Sequence, residues 1–322
     1  MKAVQFDRLG GAEVLEWRDV PKPELLPGTI LIKNQVITVN FGDTLFLRGE
    51  YLVKPVFPDT PGMEAAGVVE AVAPDVKSVT PGTRVMYIGM GAFAEYTRIR
   101  QSRAMPLPGF MDLEQAAAFP IAVLTAWHLL HSCHRTAPGE TVIVHSAAGG
   151  VGIAAVQIAK AAGARVIGTV STDDKIDFVR KFGADEVINY ETHDFGVEAM
   201  RLTEGRGVDL ILDAVGKPTV TKGLGCLAPF GHLVVYGRAG GIPDPISPMS
   251  LFGKALKVSG FAVPMVYGMH EIHRRGLDEV FRLAREDKLK VPIGRKFALA
   301  DAAEAVRYLL SRQSVGKLLL LP

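Results

Sequence analysis

The chain is short of cysteine, of net charge and of long apolar runs, and each shortage excludes something. Among its 322 residues only Cys133 and Cys226 carry thiols. Two thiols cannot build a disulfide framework or a cysteine-rich zinc lobe, so both are expected as buried thiols in a reducing cytoplasm. The 36 basic and 34 acidic residues leave a net charge of +2. That balance gives no electrostatic case for nucleic acid or an anionic membrane surface. The most apolar stretch, Ala116 to Trp127, is broken by Pro120 and is too short to span a bilayer. The opening MKAVQFDRLGG alternates polar and apolar residues and lacks a signal-peptide core. No internal repeat or low-complexity segment is present.

What is present is concentrated between Thr141 and Ala162. The stretch reads TVIVHS, AAGGVG, IAAVQIAKAA: a β-branched run, a glycine-rich turn, then an Ala-rich run without Gly or Pro. The first run suits a buried parallel strand and the last a helix packed closely on a sheet. Such a succession aims backbone N–H groups and a helix N-terminus at one spot, an anion site made of main chain. Against the dinucleotide template G-x-G-x-x-G the match is Ala147-x-Gly149-x-x-Gly152, with alanine for the first glycine. The expected guest is a dinucleotide pyrophosphate. A tight turn with no ligand is the plainer alternative.

Around this centre the texture changes twice. From Met1 to about Gly109 the runs at 29–39, 67–72, 84–88 and 92–100 read as strands. Pro-Gly pairs at 27–28, 61–62, 81–82 and 108–109 punctuate them. A barrel or sandwich follows from that pattern. From Asp112 the composition turns helical, with a break at Pro120. Strands at 165–170, 186–189, 208–215, 232–237 and 256–261 then alternate with helices, which predicts right-handed crossovers and a parallel, doubly wound sheet. Thr172 reads as the N-cap of the helix after the first of these strands, with Asp173 and Asp174 in its first turn. After Phe261 come helical stretches at 271–286 and 301–311 and a last strand at 317–321. This tail is expected to return to the first domain.

Several segments together resemble the quinone oxidoreductase (zeta-crystallin-like) group of the medium-chain dehydrogenase/reductase family. They are VNFGDTLFLRGEY (Val39 to Tyr51), PGMEAAGVV (Pro61 to Val69), AAAFPIAVLTAWHLL, VHSAAGGVG, GADEVINY, VVYGRAGG and the closing SVGKLLLLP. The resemblance implies an α/β protein. A GroES-like β-barrel catalytic domain (1–117, completed by 263–322) would carry an inserted Rossmann NADPH-binding domain (118–262). It also implies a homodimer joined edge to edge through the 256–261 strand. Zinc alcohol dehydrogenases of this family need a cysteine near Asn40–Asp43 and a histidine just after the Pro-Gly. Here those places hold Asn40-Phe41-Gly42-Asp43 and Met63, without the thiolate and the imidazole that the catalytic zinc of those enzymes uses. The enzyme is therefore expected to be zinc-free.

The cofactor follows from the corner after the second Rossmann strand. NAD sites place a carboxylate there for the ribose 2′-hydroxyl; this chain has Val170-Ser171-Thr172. Ser171, Lys175 and Tyr190 match family positions that hold a 2′-phosphate, and Arg312 adds a charge by resemblance, so NADPH is expected. An ordinary exposed helix lysine is the alternative for Lys175. With the turn residues Ala148, Gly149, Gly150, Val151 and Gly152, the expected cofactor contacts include Val215 and Gly237.

For chemistry, the resemblance turns the Asn40–Tyr51 segment toward the nicotinamide. Asn40 is a candidate to bind the nicotinamide ribose or a substrate carbonyl, Tyr51 to hold that carbonyl or supply a proton, and Asp43 to orient either. Thr125 matches a position near the nicotinamide. The bland readings are a strand-end turn residue, a partly buried aromatic, a helix cap, and a helix threonine bonded to its own backbone. No Ser/Lys/Tyr triad and no G-x-S-x-G elbow compete. His128, His131, Cys133 and His134 mimic a metal cluster, but no carboxylate partners them in sequence. His145 is expected to be a satisfied near-core histidine. The expected activity is hydride transfer from NADPH to a quinone or related electron-poor carbonyl compound. The alternatives are reduction of enone or enoyl-thioester C=C bonds, and NADPH binding in a structural or nucleic-acid role.

Overall fold

The alternating run from Thr29 to Val39 becomes the longest strand of the protein, with its isoleucines and valines turned into a core. The computed structural model describes all 322 residues and divides them into two units, Met1–Ile121 with Val291–Pro322, and Ala122–Lys290. In the first, β1 (Lys2–Gln5) and β2 (Glu16–Asp19) form a small antiparallel ribbon. The main strands are β3 (Thr29–Val39), β4 (Glu64–Val72), β5 (Arg84–Ile88), β6 (Tyr96–Arg100) and β7 (Ala104–Pro106). Helix α1 (Phe41–Leu47) follows β3 directly, and α2 (Leu113–Ala118) is capped by Asp112, whose Oδ1 accepts from Gln115 N.

Helix α3 (Pro120–His128) begins at the break foreseen at Pro120 and carries the chain onward into a π-helical turn, Leu129–His134. In the second unit β8 (Thr141–Val144) runs through the glycine turn into α4 (Gly150–Ala161). Then come β9 (Arg165–Val170), α5 (Ile176–Lys181), β10 (Glu186–Asn189), α6 (Phe195–Leu202), β11 (Val208–Asp213), α7 (Val220–Gly225), β12 (Leu227–Val235), α8 (Met249–Phe252) and β13 (Lys257–Gly260). The six strands form one parallel sheet in the order β10-β9-β8-β11-β12-β13. The order reverses direction between β8 and β11. In doubly wound sheets that switch point is where ligands bind, outside the carboxyl ends of the strands. Ile143, Ile167, Ile188, Ile211 and Leu233 form the core on the sheet, each worth about 1.5–3 kcal/mol of burial.

The tail returns later than the sequence suggested. Helix α9 (His270–Arg285) belongs to the second unit, and the chain rejoins the first at Val291 rather than 263. The reason is close packing: a Cβ on Gly276 would lie 3.0 Å from the Trp127 ring and 3.2 Å from His128 Nε2. β14 (Ile293–Ala298), α10 (Ala302–Leu310) and β15 (Lys317–Leu321) then complete the first unit, whose sheet runs β14-β15-β3-β4-β5-β7 with β6 also paired to β3. β15 lies antiparallel to β3, Leu318 opposite Val39 and Leu320 opposite Ile37.

Candidate functional site

The turn expected to hold the pyrophosphate is built by close approach of backbone. Ser146 takes a left-handed conformation (φ 54°), and Ala147 N donates to Thr169 O at 3.0 Å, anchoring the turn to β9. Gly149 is the N-cap of α4 and offers no side chain to cap it, so the first-turn N–H groups face outward for a ligand. A Cβ on Gly152 would overlap the Ser146 carbonyl oxygen and sit 2.7 Å from Ala147 Cα, whereas one on Gly149 would meet Ser146 O at 3.3 Å. Gly152 is therefore the glycine that lets helix and turn touch. Ala147, the departure from the template, is fully buried under the turn.

The corner after β9 corrects two sequence expectations. Thr172 makes no side-chain cap; a 3₁₀ turn, Asp173–Lys175, precedes α5. Its exposed Asp173 accepts from Asn189 Nδ2 at 2.7 Å, joining this turn to the end of β10. Lys175 is not an exposed helix lysine: it is 6% exposed, and burial pushes its ammonium below the usual lysine range. A cation held in that environment gains most from an incoming phosphate. Ser171 and Tyr190 are half-buried, and Tyr190 N donates to Val170 O at 3.0 Å, next to Ser171.

Across the switch point, Asp213 shapes the turn at Val215–Gly216, where Val215 was expected to meet the cofactor. Its Oδ1 accepts from Val215 N (2.7 Å) and Gly216 N (2.8 Å), and Gly216 has φ 90°. A Cβ on Gly237 would lie 2.6 Å from Ala214 O, so the β12 loop closes directly on this turn. His145 is only half satisfied: Nδ1 pairs with Thr169 Oγ1 at 2.9 Å, while buried Nε2 has no partner. Burial pushes its imidazole below the usual range.

In the first unit, Asn40, Asp43 and Tyr51 come together at α1. Asn40 is the N-cap, and its backbone N donates to Asp43 Oδ2 at 2.7 Å. The other oxygen, Oδ1, is buried and unpartnered, and burial pushes the carboxyl up to about 7. A Cβ on Gly42 would touch Tyr51 Cε2 (3.2 Å) and Met63 Sδ (3.0 Å), so the tyrosine ring, the methionine and α1 form one packed corner. Burial, then the Asp43 charge, raise the Tyr51 phenol. Two further residues, absent from the sequence reading, complete the corner. Lys317 Nζ reaches Asn40 Oδ1 at 2.6 Å and Glu64 Oε1 at 2.7 Å, with both charged groups buried. Thr125 and Arg312 stand apart in membership. Buried Thr125 lies on α3 in the second unit, and exposed Arg312 in the first.

The decoys resolve into ordinary partners. His128 is buried with Nδ1 on Ser132 Oγ at 2.9 Å; His134 lies between Glu140 (3.1 Å) and His232 (3.4 Å). Cys226 is buried, its thiol pushed up to about 11, and burial also raises the half-buried Cys133 thiol. No three His, Cys, Asp or Glu side chains converge as a metal site.

Comparison with known proteins follows the same division. Residues 26–109 match the alcohol dehydrogenase GroES-like domain and residues 150–280 match the zinc-binding dehydrogenase domain. A quinone oxidoreductase of Pseudomonas aeruginosa is 37% identical over 100% of this chain and 99% of its own. The chain belongs to the quinone oxidoreductase group of the medium-chain dehydrogenase/reductase family. A 2-haloacrylate reductase of a Burkholderia species is 35% identical over 99% of this chain and 98% of its own. The crystal structure of Escherichia coli quinone oxidoreductase complexed with NADPH superposes with a TM-score of 0.95 at 34% identity, covering 100% of both chains.

Proposed function

We propose that this protein is an NADPH-dependent, zinc-independent reductase of quinones or related electron-poor carbonyl compounds. The observation that carries the cofactor is the pairing of the Gly152 close approach with a buried Lys175 at a corner lacking the ribose-binding carboxylate. When bound, NADPH supplies the hydride. The turn Ala148–Gly152 holds the pyrophosphate, Ser171, Lys175 and Tyr190 hold the 2′-phosphate, and Val215 and Gly237 line the turn expected at the nicotinamide.

For the acceptor, Tyr51 binds the carbonyl oxygen and passes it a proton, and Asp43, buried and poised near neutrality, replenishes Tyr51. Asn40 orients this pair. Its amide is already engaged at both ends, so it serves as a fixed wall more than as a ligand donor. Thr125 offers its hydroxyl to the carboxamide side. Zinc independence rests on Asn40 and Met63, since an amide committed to Lys317 and a thioether make no tetrahedral zinc site. The name of the Burkholderia relative favours one second reading, reduction of a C=C bond conjugated to a carboxylate or carbonyl.

The two readings separate on a panel of 1,4-quinones, enones and crotonyl thioesters, with NADPH oxidation followed by absorbance. Preference for quinones supports the first, preference for enones or thioesters the second, and turnover of none overturns both. We also infer a cytoplasmic homodimer. Strand β13 is the open end of the six-stranded sheet, and Met249 and Phe252, on the helix just before it in sequence, are largely exposed. A second copy adding its own β13 would pair that edge. A monomer in light scattering would remove the dimer.

A further inference from the structure

The corner at α1 holds a buried ion pair that the assignments above leave without a role. Glu64 and Lys317 are 0% and 4% exposed. Glu64 Oε1 accepts from Lys317 Nζ (2.7 Å), Thr38 Oγ1 (2.6 Å) and Asn40 Nδ2 (3.0 Å), and Oε2 accepts from Ile121 N (2.7 Å). Every acceptor position that matters is filled, which is the condition for a buried pair to hold. The pair also dictates the Asn40 amide. Turning it over would set its NH2 against the ammonium and its oxygen against the carboxylate, two repulsions in place of two bonds.

We propose that Glu64 and Lys317 are positioning residues for the reduction, fixing Asn40 at the start of α1 and leaving Asp43 the one unpaired acid beside Tyr51. This rests on the reading of Asp43 and Tyr51 as the proton-handling groups. The groups facing Asp43 are Lys317, Glu64 and Tyr51, together with the backbone N–H groups of Asn40 and Gly62. Burial is the largest influence on the Asp43 carboxyl; Lys317 favours its carboxylate and Glu64 opposes it. Neither residue touches the acceptor. Each acts through Asn40 and Asp43.

The two halves of the pair therefore have opposite effects, which a merely structural role would not produce. The measurement is the pH profile of kcat for a 1,4-quinone at saturating NADPH, on variants whose thermal unfolding shows that they are folded. Glu64→Gln leaves the ammonium uncompensated, and the alkaline fall moves about one unit to lower pH. Lys317→Met moves it about one unit higher, and Lys317→Arg restores the wild-type profile. Shifts of both variants in the same direction, or none, overturn the proposal. Asp43→Asn tests the underlying reading separately. If it keeps the alkaline fall, the Asp43 assignment fails; if it abolishes the fall while the pair variants leave it unmoved, only the positioning role fails. Should Glu64→Gln and Lys317→Met not fold, Thr38→Val removes one donor from the Glu64 carboxylate, leaves its charge less offset and moves the Asp43 titration to higher pH, as Lys317→Met does. Isotope-edited infrared titration of its aspartates beside those of the wild type then shows the same displacement or its absence.

Discussion

Asn189 Nδ2 donates to Asp173 Oδ1 at 2.7 Å, and this bond decides what the cofactor corner offers a ligand. It commits the first aspartate of the Ser171–Lys175 turn to the end of β10 and leaves Lys175 as the buried cation of that corner. A charge-assisted bond to phosphate is worth about 1.5–3 kcal/mol. Lys175→Ala is expected to raise KM for NADPH roughly 10- to 100-fold and to leave KM for NADH within about twofold. Parallel steady-state kinetics with the two cofactors check this, and equal effects would remove Lys175 from the phosphate site.

The glycine turn makes a sharper distinction between neighbours. Gly152→Ala forces a methyl into the Ser146 carbonyl, while Gly149→Ala meets the same oxygen at 3.3 Å, where a small shift relieves it. Overpacking of this kind costs about 1–3 kcal/mol. Fluorescence titration should show NADPH binding weakened about 10- to 100-fold by Gly152→Ala and much less by Gly149→Ala. The reverse order would contradict the close-approach role of Gly152.

His128 is one of the buried histidines that make the protein acid-sensitive, with His232 shifted alike. Burial pushes the His128 imidazole down to about 4, against about 6.5 in the unfolded chain. The unfolded state therefore binds the proton first, and stability falls as pH drops from about 6.5 to 4, by roughly 2–3 kcal/mol for this group. Asp43 works the other way, since its raised carboxyl contributes stability that is present at low pH and lost as pH rises through about 7. Urea unfolding at pH 7 and pH 5 should show a smaller loss in His128→Gln than in the parent. An unchanged loss would assign the acid sensitivity elsewhere.

Zinc offers the bluntest check. Because Asn40 is held by Lys317 and Glu64 and Met63 is buried, exhaustive dialysis against a strong chelator should leave kcat unchanged. Elemental analysis of the fully active protein should find far less than one zinc per chain. Stoichiometric zinc, with activity lost on chelation, would overturn this.

Legibility in the sequence followed chemistry that is local. The strands at 29–39, 84–88, 165–170, 186–189 and 317–321 agree with the structure residue for residue, because short apolar runs bounded by turns need no distant information. The allegiance of α9 was not local: its pattern shows an apolar face, and only the fit of Gly276 against Trp127 says which unit receives it. Glu64 and Lys317 lie 253 residues apart. Their signal was a charge inside an apolar strand, GMEAAGVV and GKLLLLP, where a buried charge demands a partner. Half of His145's bonding escaped for the same reason, since its unsatisfied nitrogen depends on what β9, β11 and α6 place around it.

Strand β15 pairs with β3, and Lys317 reaches Asn40 across 277 residues of chain. On the ribosome β3 therefore emerges long before its neighbour exists. At typical elongation rates the wait is on the order of 15–55 s. The continuous segment 122–290 can collapse as it appears, while the first-made strands stay incomplete, one edge of β3 bare. The part of the protein synthesised first is thus finished last, and its exposure to chaperones and to mispairing is set by the time of translation, not by the intrinsic speed of folding.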